Sequence, residues 1–323
     1  MQEKPDKSIR EALSRDAQQL FDDIDTQRVL GASRHIRMIT AMLEDLMERA
    51  KAQSLTAGET RRNLLALADY FIATRGQASQ GISNAICMLV RKVKAGEATE
   101  LDGLAASLKE DVLAYRDKSH DDLDRINDYA LSLLRGMKTV LLFDYSSTVG
   151  MLAESSREIG NGMTYLIPES RALNGGTPYV PQCRKSGHRI HFIPDAAIYY
   201  YLRQCDGVFI GAETYYADGR AFNTVGSEMV ACLCRTFGVP FYVLTTLMKI
   251  DTRAQYGFVR PQVMRDLRGI IGDDADVDYS CPELVEIPAE YITAYITEEG
   301  IYPPSAMYEA SRRFVERMGL GNA

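Results

Sequence analysis

The residues of this chain that can do chemistry stand where short apolar runs stop. Five runs end on polar side chains: Asp144 with Tyr145, Glu169 with Ser170, Asp195, Glu213, and Thr245 with Thr246. A carboxyl at such a point can take or give a proton, provided its surroundings bring its pKa near the working pH. Glu213 and Asp144 are candidates for that work, with Tyr145 beside them. A phenol, with a reference value near about 10, is the harder group to use. Other features suit an anion. "NTVGSEMVACLC" opens a helix near Gly226-Ser227, preceded by Asn223 and Thr224. Free backbone N–H groups and the positive end of the helix dipole favour negative charge there. Arg171 in "PESRALNGG" and Arg75 in "TRGQAS" lie in small, polar, turn-like sequence, from which a guanidinium fork can reach a phosphoryl group. Singly, each of these residues also reads as a helix cap, a loop residue or a surface charge. As a set, with Glu169 and Ser170, they call for one ligand crevice.

A sheet must position them. From Lys138 onward, apolar runs alternate with helical stretches: "KTVLLFDYS", "MTYLIPES", "RIHFIPD", "GVFIGAE" and "PFYVLTT" are the strands. Strand, crossover, strand implies a mainly parallel sheet covered on both faces, whose ligands sit beyond the C-terminal strand ends. The segment 214–225, centred on Asp218-Gly219, reads as a small hairpin leaving the sheet. Before residue 136 the chain reads as helices. Ile36, Ile39, Met42, Leu43 and Leu46 recur at helical spacing, residues 56–76 begin at a Thr and end at a Gly, and 83–96 is a further helix. Residues 101–134 continue the pattern, with a break expected near Lys118–Asp121. The fold class is thus α/β: a helical domain, 1–136, followed by a Rossmann-like domain, 137–323.

Bulk properties narrow the function. A net charge of −7 argues against a nucleic-acid partner, which needs a basic footprint. No apolar stretch approaches the about 18 residues of a membrane span, and the polar N-terminus has no apolar signal core. The chain is therefore expected in the cytoplasm, away from membranes. The six cysteines include no CxxC pair, so neither a zinc site nor another metal or cofactor is expected. His188 and His191, three apart on a strand, should face opposite sides, while His35 and His120 should face solvent. Tyr199–Tyr201 read as core and interface.

Taken in order, these segments resemble the family of the alpha, beta and delta subunits of translation initiation factor 2B. That family also holds methylthioribose-1-phosphate isomerase and ribose-1,5-bisphosphate isomerase. "PESRALNGG" is similar to its Glu-Ser-Arg-Pro segment, and "GVFIGAETYYADGRAFNTVGSEMVA" to its Gly-Ala-Asp…Gly…Asn-Lys…Gly-Thr signature. "VPFYVL" and "IPAEYITAYITEEGIYPP" resemble its final strand and C-terminal tail. "LGASRHI" and "TRGQASQGISNAI" resemble its Arg-Gly-Ala loop and Arg-Pro-Thr segment. The resemblance implies a helical domain packed on a Rossmann-like domain, and a homodimer or larger assembly. It also implies a small phosphorylated ligand. In the isomerases of the family, a Cys after the first strand and an Asp after Gly-Ala move a proton between C1 and C2 of a phosphorylated pentose. Arginines, an Asn-Lys pair and backbone amides hold the phosphate.

Carried over, Arg75, Glu169, Arg171, Asn223, Gly226 and Ser227 fit that pattern. Tyr145 stands at the Cys, Glu213 at the Asp, Thr224 at the Lys, and Leu30 at the Arg of the first loop. Two functions stay open on these grounds. One is a sugar-phosphate isomerase using Glu213 with either Tyr145 or Asp144. The other is a non-catalytic sensor or assembly subunit that binds a sugar phosphate or nucleotide.

Overall fold

Apolar residues at helical spacing make the first part of the chain helical, as the sequence reads. The computed structural model describes residues 7–26, 28–29, 31–160 and 162–319; the substitution read at Leu30 lies outside them. The chain forms two compact units, one running to His120 and the other covering Asp121–Met318.

The first unit holds α1 (Arg15–Asp25), α2 (Ala32–Ala52), α3 (Ala57–Ala73), α4 (Arg75–Ala78), α5 (Gln80–Leu89) and α6 (Arg91–Ala95). Ile36, Ile39, Met42, Leu43 and Leu46 are all buried along α2. Thr56 caps α3 in a reciprocal box with Glu59, which satisfies two of the free N–H groups of the first turn. The single helix expected over 83–96 is two, α5 and α6, parted at Val90. His35 corrects its expected exposure. It is 1% exposed, and its Nε2 lies 2.7 Å from the Val29 carbonyl. It occupies the buried stripe of α2, and the stripe prevails over the polarity of one ring.

The helix α7 (Leu101–Leu134) shows no break near Lys118–Asp121. That stretch has neither Gly nor Pro, and Ser, His and Asp each weaken a helix by only about 0.5 kcal/mol. Among the described residues no helix is long and apolar enough to cross a membrane.

The second unit alternates as expected: β1 (Thr139–Leu142), α8 (Ser147–Ser155), β2 (Thr164–Pro168), α9 (Tyr179–Ser186), β3 (Arg189–Ile193), α10 (Ile198–Tyr201) and β4 (Gly207–Gly211). The hairpin β5 (Thr214–Tyr215) and β6 (Ala221–Thr224) leaves the sheet, and α11 (Ser227–Phe237) returns the chain to β7 (Phe241–Leu244). Then come β8 (Met264–Asp266), β9 (Ser280–Pro282), β10 (Leu284–Ile287), β11 (Ala294–Thr297), β12 (Gly300–Tyr302) and α12 (Met307–Met318). The sheet order is β12-β11-β7-β4-β1-β2-β3, parallel throughout except at β12. The five expected strands are there. The stretch read as a C-terminal tail adds β11 and β12. The hairpin pairs with β10 in a separate three-stranded sheet.

Val140, Leu142, Phe209, Leu244 and Ile296 of the strands share one core with Ile126, Ala130 and Leu134 of α7 and Tyr165, Ile167 and Tyr179. Against expectation, Tyr199 and Tyr200 are exposed. In so short a helix the core positions fall to Ile198 and Leu202, four residues apart and both buried.

The turn after β2 is packed too closely for any side chain but hydrogen at Gly176. A Cβ there would stand 2.0 Å from the Pro168 carbonyl oxygen and 3.1 Å from the Glu169 Cα. Backbone atoms of a central strand cannot yield. Gly176→Ala is expected to lower the free energy of unfolding by about 2 kcal/mol or more, measured by urea denaturation.

Candidate active site

The sheet order reverses at β1. From β1 the chain moves by α8 to β2 on one side, while β4 pairs on the other with Leu142 beside Phe209. A crevice opens beyond the C-terminal ends of two such strands. Asp144 follows β1 and Glu213 follows β4, so the two carboxyls flank this switch point.

Asp144 is held there by an unusual backbone. Its φ is 52°, and that of Ser170, after β2, is 47°. Left-handed conformations of non-glycine residues cost about 1 kcal/mol or more and persist where the surroundings dictate them. The buried Tyr179 dictates this one. Its hydroxyl donates to the Asp144 carbonyl at 2.7 Å and accepts the Ser146 N–H at 2.9 Å. Gly175 closes the other side, where a Cβ would lie 2.1 Å from Asp144 Oδ1.

The result separates two neighbours that a regular strand would merely alternate. The Asp144 carboxyl turns inward and is 6% exposed. The Ser170 hydroxyl donates to its Oδ1 at 3.1 Å, and the Thr224 hydroxyl faces the same carboxyl. Tyr145 is 41% exposed; its ring lies 5.3 Å from that of Tyr179, and its hydroxyl accepts from Gln182 Nε2 at 3.4 Å. Burial pushes the Asp144 pKa up. The hydroxyls of Thr224 and Ser170 and the Tyr145 N–H oppose the shift, and the negative charge of Glu213 adds to it.

The segment Glu169–Arg171 forms the rim. The Ser170 and Arg171 N–H groups donate to the two oxygens of Asp195, at 2.8 and 2.9 Å. Asp195 thereby clamps the turn and leaves the Arg171 side chain exposed. The Glu169 backbone joins β3 through Ile193 and the glycine turn through Gly176. Across the crevice, α11 begins at Gly226, whose φ of 98° carries no side-chain cap. A Cβ on Gly226 would lie 2.7 Å from the ring of Phe143, the residue before Asp144. Close approach of backbone to ring therefore brings the helix N-terminus to the end of β1. Asn223 Nδ2 donates to Ser227 Oγ at 3.1 Å, joining the hairpin to the first turn of the helix.

Asp144, Ser170, Thr224 and Glu213 thus come together, with Asn223, Gly226 and Ser227 alongside. Arg75 belongs to the other unit. It opens α4, with its Nε buried and without a hydrogen-bond partner.

Two cations at this crevice escaped the sequence reading. Lys249, in the loop after β7, brackets Glu213: its Nζ donates to the Ala212 carbonyl at 2.6 Å, and its own carbonyl accepts the Thr214 hydroxyl at 2.8 Å. Burial pushes its pKa down, and the charge of Glu213 opposes that shift. The Arg260 guanidinium lies 5.4 Å over the ring of Phe222, whose carbonyl accepts the Glu213 N–H at 2.9 Å. A signal was present: both are lone cations set among apolar neighbours, "LMKI" and "FVRP", which is uncommon for surface charge.

With two carboxyls and two cations gathered at its switch point, the second unit is an open α/β protein of the mainly parallel, Rossmann-like class. The particular family follows from comparison. Residues 31–304 match the model of the initiation factor 2 subunit family, IF-2B, and the chain belongs to that family. The ribose 1,5-bisphosphate isomerase of Haloferax volcanii is 25% identical over 299 residues, 88% of each chain. The crystal structure of 5-methylthioribose 1-phosphate isomerase from Pyrococcus horikoshii OT3 matches with a TM-score of 0.77 at 20% identity, over 92% of this chain and 88% of that one. Translation initiation factor eIF-2B of the same organism matches with a TM-score of 0.75 at 19% identity, over 90% and 98%. These likenesses to solved structures establish the fold.

Proposed function

We propose that this protein is an aldose–ketose isomerase acting on a phosphorylated pentose, with Asp144 and Glu213 as its acid–base pair. The observation that carries the reading is the placement of two carboxyls on neighbouring strand ends across the switch point, one buried with a raised pKa. Two carboxyls in unlike surroundings divide naturally into an acid and a base. Asp144, held toward its protonated form, gives its proton to the ring oxygen as the C1–O bond breaks, and its carboxylate regains a proton from the C2 hydroxyl as the C2 carbonyl forms. Glu213 takes the proton from C2 and returns it to C1. Asp144, rather than Tyr145, fills the role of the family's Cys, because the turn at Asp144 buries its carboxyl between Ser170 and Thr224, within electrostatic reach of Glu213, and leaves Tyr145 facing Gln182.

The phosphate is assigned to residues 137–323. The N-terminus of α11 with Asn223 and Ser227 supplies neutral donors, Arg171 stands at the rim, and Lys249 supplies charge within the crevice. Action as a homodimer or larger assembly in the cytoplasm belongs to the same proposal, on the family resemblance.

Ribose 1,5-bisphosphate and ribose 5-phosphate should be incubated with the protein in deuterated buffer and followed by NMR. A ketose phosphate carrying deuterium at C1 is the expected product of at least one of them. Tight binding without exchange would make the protein a non-catalytic sensor, and no binding of either would end the sugar-phosphate reading.

A further inference from the structure

A second hollow lies at the tip of the hairpin, walled by Tyr216, Ala217, Ala254, Pro304 and Tyr308. Its volume is about 380 Å3, within the range of about 300–1,000 Å3 that small-molecule sites occupy. Its lining contains none of the residues gathered at the crevice. The fold sets these walls firmly. The Tyr216 N–H donates to the Arg220 carbonyl at 2.8 Å and the Gly219 N–H to the Tyr216 carbonyl at 3.0 Å, which closes the tip. The buried Tyr295 hydroxyl pins it by donating to the Gly219 carbonyl at 2.8 Å. Gly219, at a φ of 88°, comes so near Pro304 that a Cβ would stand 2.7 Å from its carbonyl oxygen. The hollow is preformed, so a ligand does not have to order its walls.

Tyr216 gives the hollow its chemistry. It is 4% exposed, with its ring 4.7 Å from that of Phe222 and the Arg220 guanidinium over it at 5.0 Å. Buried phenols ordinarily find a hydrogen-bond partner. The Tyr216 hydroxyl has none among the described residues, and burial pushes its pKa up. An acceptor atom brought in by a ligand would supply the missing partner. Charge around it is already balanced. Arg220 is paired with Asp218 and Glu286, each at 2.8 Å, and Arg253 with Asp251 at 2.8 Å. Arg260, the third cation acting on Tyr216, is set against Glu213. No surplus charge therefore calls for an ion. The apolar walls and the Tyr308 ring suit a flat body. At the exposed rim the Asp218 carboxylate, the Gln255 amide and the Ser305 hydroxyl can accept from N–H groups.

We propose that this hollow is a second ligand site, taking a small, flat, uncharged ring with a carboxamide-type edge. The ligand carbonyl accepts from the Tyr216 hydroxyl, and its N–H groups donate at the rim. Occupancy of the hollow is independent of the isomerase chemistry in the crevice.

The test is a ligand-observed NMR titration of the whole protein with benzamide, with toluene, benzoate and benzylammonium as controls on the same ring. Benzamide is expected to bind with a Kd of about 1 mM, near what so few atoms allow, and the controls at least about 5-fold more weakly. Tyr216→Phe removes only the hydroxyl. It should cost benzamide about 5-fold, the effect of one neutral hydrogen bond, and leave toluene unchanged. Ser305→Trp, at an exposed position, should fill the hollow and abolish benzamide binding; it decides the matter should Tyr216→Phe fail to fold. Benzoate or benzylammonium binding as tightly as benzamide overturns the assignment to an uncharged ring. Benzamide affinity unchanged in either folded variant, or no benzamide binding below about 20 mM, overturns the site itself. Each of these results leaves the isomerase reading standing, because no crevice residue is altered.

Discussion

Asp144→Asn is expected to lower the isomerisation rate by about a thousandfold while making the protein gain in stability on the wild type as pH rises. The first effect follows from removing the proton that the acid gives; losses of about a hundred- to ten-thousandfold are usual for such groups. The second follows from the direction of the pKa shift. Burial raises the native value of Asp144 above its ordinary one, so the native state binds this proton more tightly than the unfolded chain. The stabilisation this gives is complete below the ordinary carboxylate value and is lost as pH rises through the native value. Above the native value the wild type carries a buried charge that Asn does not. Asn also keeps the carbonyl oxygen that accepts from Ser170. The Tm of Asp144→Asn should rise relative to that of the wild type as pH increases, and the difference should level off below about pH 4. Tyr145→Phe is the control, expected to stay within about threefold of wild-type turnover because the Tyr145 hydroxyl meets the Gln182 amide and not Glu213 or Asp144 among the described residues. A variant of Asp144 with full activity, or a Tyr145 variant with none, would exchange the roles of the two neighbours.

Much of this arrangement is legible in the sequence, and the rest is not, for definable reasons. The strand ends read correctly because double burial makes the strands continuously apolar, so a carboxyl marks the end. The helix start at Ser227 and the hairpin at Asp218-Gly219 read correctly because glycine is the cheapest residue for positive φ, and both Gly219 and Gly226 have it. β11 and β12 were taken for a tail because each has only three or four residues, between Pro288 and Pro303, too few for a period to show. The inward turn of Asp144 was hidden for another reason. Alternation along a strand says only that Asp144 and Tyr145 part company. Which one faces the crevice is decided by Tyr179, 35 positions away in sequence. Lys249 and Arg260 lie in loops, where their apolar neighbours signal burial but do not identify Phe222, Ala212 and Thr214 as the groups that receive them. Family signatures mark what relatives share, and Arg260 lies outside the segments quoted for them.

Glu213→Gln should abolish proton exchange at the sugar by about a thousandfold yet leave ligand affinity unchanged or improved. Gln preserves the length of the side chain and the backbone N–H to Phe222, so the hairpin keeps its register. What it removes is the lone pair that takes the C2 proton, and no other described carboxyl is placed to replace it. Asp144 serves the opposite transfer, and Asp251 is occupied by Arg253. Affinity should not fall, because the carboxylate competes with an incoming phosphoryl group for Lys249. Removing one negative charge leaves the charge of Lys249 to the ligand. The two readouts therefore move apart: calorimetry reports binding retained or tightened, while NMR in deuterated buffer reports no label at C1. A purely structural carboxylate would move both together, through a loosened hairpin and a lower Tm. Loss of binding in Glu213→Gln would thus remove it from the proton transfer and make it a ligand contact. Unchanged exchange would remove the acid–base pair altogether, leaving the crevice as a place where the sugar phosphate is held and not turned over.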